Sequence, residues 1–181
     1  AYYDAPACAL GMPEVSVSIY PDRGRQRIVE ILLHYPLDTG ELEQRRDKLA
    51  QTLEELSWNL TGQPQLALTS ARALLELGGY DPQGGNTVWD LFDAGAANSE
   101  GLALAYAALC QRLELPCHVA QGTLAEEPHF WNVVQTEEGW RHLDLSAPEN
   151  DREDGPLYTD LAFQELGYLW EEVSVPARAE E

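Results

Sequence analysis

Three segments decide the fold: Asn98-Ser99-Glu100-Gly101-Leu102-Ala103, then His129-Phe130-Trp131-Asn132-Val133-Val134, then Gly139-Trp140-Arg141-His142-Leu143-Asp144-Leu145-Ser146. Leu102, Tyr106, Leu109 and Leu113 follow the first at helical spacing and Pro116 closes the run, which predicts a core helix opening near Ser99. From Cys117 the apolar period drops to two. Strands are expected over 117–122, 129–135 and 140–145, the last two joined through Thr136-Glu137-Glu138-Gly139. A first-turn helical residue lies where aligned peptide dipoles stabilise developing negative charge, and position 99 is such a place. A two-residue turn at Glu137-Glu138 pairs Thr136 with Gly139 and so Trp131 with Asp144. His129 then shares a sheet face with Asp144 as its diagonal neighbour, about 7–8 Å away between backbones, a gap the two side chains can span. A bulge at Gly139 would put them on opposite faces.

Upstream, Val15, Val17 and Ile19 alternate with polar residues, Pro21-Asp22-Arg23-Gly24 turns the chain, and 28–35 is a second apolar run, together a hairpin. Asp38 stands three residues before Glu41, and Leu42, Leu49, Leu53, Leu56 and Leu60 recur on one face of a long helix ending near Gly62. Pro64 opens a second helix, with Leu68, Ala71, Leu74, Leu75 and Leu77 on one face before Gly78-Gly79. Residues 80–86 read as loop, 88–92 as a short apolar segment, and 158–176 as a small helix with an edge strand. Helices early and antiparallel strands late give an α+β fold, helices packed on an antiparallel sheet. The expected organisation is an N-terminal tail over 1–13, one domain over 14–176 and a C-terminal tail over 177–181.

The 181 residues carry 11 Lys plus Arg against 31 Asp plus Glu, a formal charge of −20, and 44% of them are apolar. That apolar share supplies a real core, and the charge repels nucleic acid and anionic membranes while suiting polar or cationic ligands. The longest apolar stretch, 101–110, falls well short of the ~20 residues of a spanning helix, so no membrane insertion is expected. Residues 1–13 lack the charged start and apolar run of a secretory signal, which leaves the compartment open. Cys8, Cys110 and Cys117 are odd in number and form no CxxC pair, so idle thiols are expected. His118, His129 and His142 fit no compact metal site, and the acidic run 149–154 lacks the spaced ligands of a calcium loop. No cofactor and no metal are expected.

The order and spacing of the three segments resemble the bacterial transglutaminase-like family, relatives of the papain-like cysteine peptidases. That family combines a Cys-(Glu/Asp)-Gly-Tyr-Ala helix start, a His-Ala-Trp-Asn strand and a Trp-Tyr-His-Val-Asp-Val-Thr strand. His129, Trp131 and Asn132 match the second, Trp140, His142 and Asp144 the third. Leu113, Leu115, Pro116 and Cys117 match a Leu-Gly-Ile-Pro-Cys joint, and Gly167-Tyr168-Leu169-Trp170 is similar to a closing Gly-Tyr-x-Trp. The likeness spans about 86–146 in motifs and the remainder in element order only. It implies a papain-like architecture with Ser99, His129 and Asp144 at the catalytic positions.

Two residues depart from the pattern: Ser99 stands where the family has its nucleophilic Cys, and Glu114 where it has a helix-ending Gly. The second is strained but tolerated. The first removes transamidation and thioester chemistry, because a serine hydroxyl does not ionise near neutrality as a thiol does. Cys110 lies three helical turns from Ser99, about 16 Å along the axis, and cannot substitute. Ser99 or Asn98 also reads as an ordinary helix cap.

The expected function is a non-catalytic pseudoenzyme that binds a peptide or protein, cationic groups being among the candidates. The alternatives are a Ser-dependent amide or ester hydrolase or peptidase using Ser99, His129 and Asp144, or an engineered Cys-to-Ser form of an active cysteine peptidase or transglutaminase. Trp131, Asn132 and Trp89 are candidate binding residues that line a groove or else fill the core. Relatives of this kind are often exported, so the resemblance leans toward an extracytoplasmic or cell-envelope setting.

Overall fold

The computed structural model describes residues 3–20, 24, 28–147 and 157–171. Strands β1 (Glu14–Tyr20) and β2 (Ile28–His34) form the expected antiparallel hairpin, in register from Glu14↔His34 to Tyr20↔Ile28. Its turn, Gly24 apart, lies outside the described residues, as do the acidic run and the C-terminal tail. Helix α1 (Thr39–Leu60) starts where Asp38 accepts the Glu41 N–H at 2.8 Å, and it buries Leu49, Leu53 and Leu60. Helix α2 (Leu66–Leu75) buries Leu68, Ala71 and Leu74 but stops at Leu75, so Leu77, expected on its buried face, is 42% exposed.

Residues 80–86 are not simply a loop. Strand β3 (Gly79–Gly85) pairs in parallel with the two-residue β4 (Ala96–Ala97), around a helix α3 (Val88–Ala94). The ladder is short and irregular, and Asp81-Pro82-Gln83-Gly84 has turn composition, so pattern alone could not reveal it. Gly84 is required there: a Cβ would lie 2.9 Å from the Ala97 backbone. Nor are the described residues 3–13 simply a tail. Pro6–Cys8 form a 3-10 turn, Ala9 and Leu10 are buried, and the Ala9 carbonyl accepts the Val88 N–H at 3.0 Å. Ala9 and Leu10 supply apolar area that a strand or helix pattern too short to register conceals.

Helix α4 (Ser99–Arg112) is buried all round from Gly101 to Cys110, so it is the core helix. It lies between α1, α2 and α3 on one side and β5 (Cys117–Leu124) and β6 (Glu127–Thr136) on the other. The joint after α4 places Glu114 at φ +56°, the left-handed position the sequence predicts. Strand β7 (Gly139–Leu143) pairs with β6 from Thr136↔Gly139 to Asn132↔Leu143, the unbulged register. Helix α5 (Asp160–Glu165) and strand β8 (Tyr168–Leu169) follow, and β8 pairs with the outer edge of β5 to give the sheet order β7-β6-β5-β8. One sheet face, with Val134 and Leu143, joins the helical core; the other, with Trp131 and Val133, packs on Phe163 and Tyr168.

Candidate active site

The site forms where the start of α4 meets the ends of β6 and β7. Asn98 caps α4, its Oδ1 accepting the Gly101 N–H at 3.0 Å, which leaves half-buried Ser99 as the first helical residue rather than the cap. The first-turn amides of Ser99 and Glu100 have no intrahelical acceptor, as helix geometry dictates. Strand β7 ends at Leu143, so Asp144 leaves the ladder while keeping the side of the sheet that register assigns it. Its Oδ2 lies 2.7 Å from Nε2 of His129.

Four donors converge on Asp144. Oδ2 accepts from His129 and from the Tyr168 hydroxyl at 2.7 Å; Oδ1 accepts from the Ser146 N–H at 2.8 Å and its hydroxyl at 2.6 Å. Burial, the largest single influence, pushes this carboxyl up. The hydrogen bond and charge of His129, with Ser146 and Tyr168, outweigh it and hold the group below its ordinary value. An ionised carboxylate only accepts, so His129 carries its proton on Nε2. Nδ1 has no protein partner among the described residues. Ser99, His129, Asp144 and Ser146 line one open cavity of about 450 Å³, together with Tyr80, Pro82, Leu124, Ala125, Glu127 and Pro128.

The structure corrects the binding residues. Trp131 is 1% exposed, its indole N–H donating to Nδ1 of His142 at 2.9 Å. Asn132 is fully buried, its amide donating to the Ala103 carbonyl at 2.9 Å. Trp89 sits in the helical core beneath Arg45 and Lys48, 5.5 and 5.1 Å from its ring centre. None of the three lines the cavity, because each is covered by packed side chains. His142 is engaged elsewhere, between Trp131 and Asp160. Cys110 is fully buried and does not line the cavity.

Sequence reading missed Ser146 and Tyr168 as site residues. Asp144-Leu145-Ser146 carries an Asx-turn signal that could have found the first. Tyr168 belongs to the Gly167-Tyr168-Leu169-Trp170 segment, where nothing local shows that β8 returns to β5.

The sequence profile of the Transglutaminase-like superfamily matches residues 48–145, more than half of the chain, and spans Ser99, His129 and Asp144. The chain belongs to that superfamily. No curated protein matches it. Among solved structures, a TGase crystal structure resembles the transglutaminase-like chain with a TM-score of 0.49 and 15% identity, over 90% of this chain and 50% of that one. A candidate cysteine protease from Cytophaga hutchinsonii gives 0.46 and 13% over 74% and 62%. The periplasmic domain of TgpA from Pseudomonas aeruginosa gives 0.44 and 21% over 70% and 59%. The transglutaminase-like chain thus spans half to about three-fifths of the length of these proteins.

Proposed function

We propose that this transglutaminase-like domain is a non-catalytic member, in which the Ser99 hydroxyl stands where the family has its thiol and the retained cleft binds an extended peptide. One juxtaposition supports the reading: Ser99 shares the cavity with the hydrogen-bonded His129–Asp144 pair, and no cysteine lines it. A thiol there would be drawn into a thiolate–imidazolium pair by the helix start and the imidazole. A hydroxyl instead has to hand its proton to the base during attack, and among the described residues no hydrogen bond joins Ser99 to His129. Glu127 on the cavity wall and the charge of −20 favour peptides with cationic groups. The family resemblance suggests an extracytoplasmic or cell-envelope setting.

A serine hydrolase is the second reading. It is favoured by the same shared cavity and by the cavity-lining Ser99, whose amide has no intrahelical acceptor and offers a donor to an oxyanion. A fluorophosphonate probe separates the two: the pseudoenzyme stays unlabelled, whereas labelling at Ser99 that His129→Ala abolishes overturns it. On the same protein, titration with a lysine-rich peptide should perturb the His129 ring resonances in NMR. Perturbation confined to surface acids away from the cavity would refute binding in the cleft.

A further inference from the structure

Tyr168 lies 24 residues after Asp144 on an edge strand of two residues, yet its hydroxyl reaches the same carboxylate oxygen as His129. The phenol is held firmly. Its ring stacks on Phe163 with centres 3.6 Å apart, meets His129 edge-on at 5.8 Å and Trp131 at 5.6 Å, and the residue is 4% exposed. Gly167, at φ +93°, allows the bend that turns the chain from α5 into β8, and β8 is fixed by pairing Leu124 with Tyr168. Core packing alone would be served by Phe.

We propose that Tyr168 is a positioning residue of the site, whose hydroxyl shares Asp144 Oδ2 with His129 and thereby sets how much of the carboxylate's charge the imidazole feels. The phenol donates to the charged carboxylate and stabilises it, so it takes up part of the charge that would otherwise serve the imidazole alone. Ser146 engages the other oxygen through its amide and hydroxyl, and its Oγ also lies 3.2 Å from Nε2 of His129. Loss of the phenol hydroxyl therefore concentrates negative charge on the His129 bond and favours the imidazolium.

The inference rests on the retained His129–Asp144 geometry, and is independent of whether Ser99 turns a substrate over. A reporter thiol reads it. In Ser99→Cys protein, alkylation by iodoacetamide follows thiolate formation, which the imidazolium promotes. Adding Tyr168→Phe should move the acidic midpoint of the pH–rate profile down by roughly half a pH unit, about threefold in rate below it. The shift should vanish when Asp144→Asn is also present. An unchanged midpoint, or a rate changed equally at every pH, overturns the proposal and leaves Tyr168 a packing residue. A profile near that of an ordinary thiol, about 8.5 in all variants, overturns it as well, since no pair then exists for Tyr168 to tune. Failure of the pseudoenzyme reading is seen separately, as fluorophosphonate labelling of the native Ser99 protein. Phe keeps the ring contacts, and near-UV circular dichroism of each variant confirms that the aromatic cluster is intact.

Discussion

His142 and Asp144 are both buried and both hold their pKa below the ordinary value, His142 through burial itself and Asp144 through hydrogen bonds that outweigh burial. The Trp131 indole can only donate, so Nδ1 of His142 must present a bare lone pair, and Nε2–H faces Asp160 at 2.9 Å. Burial pushes this imidazole below its ordinary value, and Asp160 offsets that only in part. A depressed histidine favours folding above about 6.5, its unfolded value, and that contribution is lost as pH falls toward the folded one. Asp144, also depressed, loses its contribution only below about 4. Urea unfolding should therefore show stability declining between pH 7 and 5, and His142→Gln should flatten that limb while lowering stability at pH 7. A variant with the native slope would refute the assignment. His129 and Asp144 were legible in sequence because turn length and the two-residue period fix register. Trp131 has the parity of His129 and the same face, but the fact that Phe163 and Tyr168 fold over it is a long-range contact with no local signal.

Elements in this chain are clearest where the side-chain period is long and the boundary residue is chemically suited to its place. Asp38 and Asn98 both cap helices that the leucine spacing announces. The β5–β6 connection is the opposite case. Ala125 and Glu126 have φ of +52° and +66°, left-handed values in a two-residue hairpin turn that prefers Asn-Gly. Without that signal the pattern ends one strand at 122 and begins the next at 129, whereas pairing continues to Leu124↔Glu127. Each left-handed non-glycine costs roughly 1–2 kcal/mol, so replacing the pair by Ala125→Asn with Glu126→Gly should raise stability by about 1–2 kcal/mol in urea titration. No gain would mean that the turn is unstrained. Ala125 also lines the cavity, so a strained wall is kept at the site.

At the scale of the molecule, two aromatic and aliphatic cores flank one sheet, and the β1–β2 hairpin belongs to neither. Register puts Val15, Val17 and Ile19 on one hairpin face with Val29, Ile31 and Leu33, and each of the six is 48–60% exposed. The alternation of β1 was legible for the same reason as that of β6 and β7, but period two says only which residues share a face, never what covers them. Stability follows burial rather than hydrophobicity, so equal apolar deletions should differ sharply by place. Val17→Thr or Ile31→Thr should change unfolding free energy by less than about 0.5 kcal/mol, the usual range for surface changes. Leu104→Ala, at a fully buried position of α4, should cost about 2–5 kcal/mol through lost transfer energy and the cavity left behind. Equilibrium urea unfolding of the three variants measures the contrast. A penalty at Val17 or Ile31 approaching that at Leu104 would show that the hairpin packs against apolar surface in solution, and its exposed face would then be part of a core.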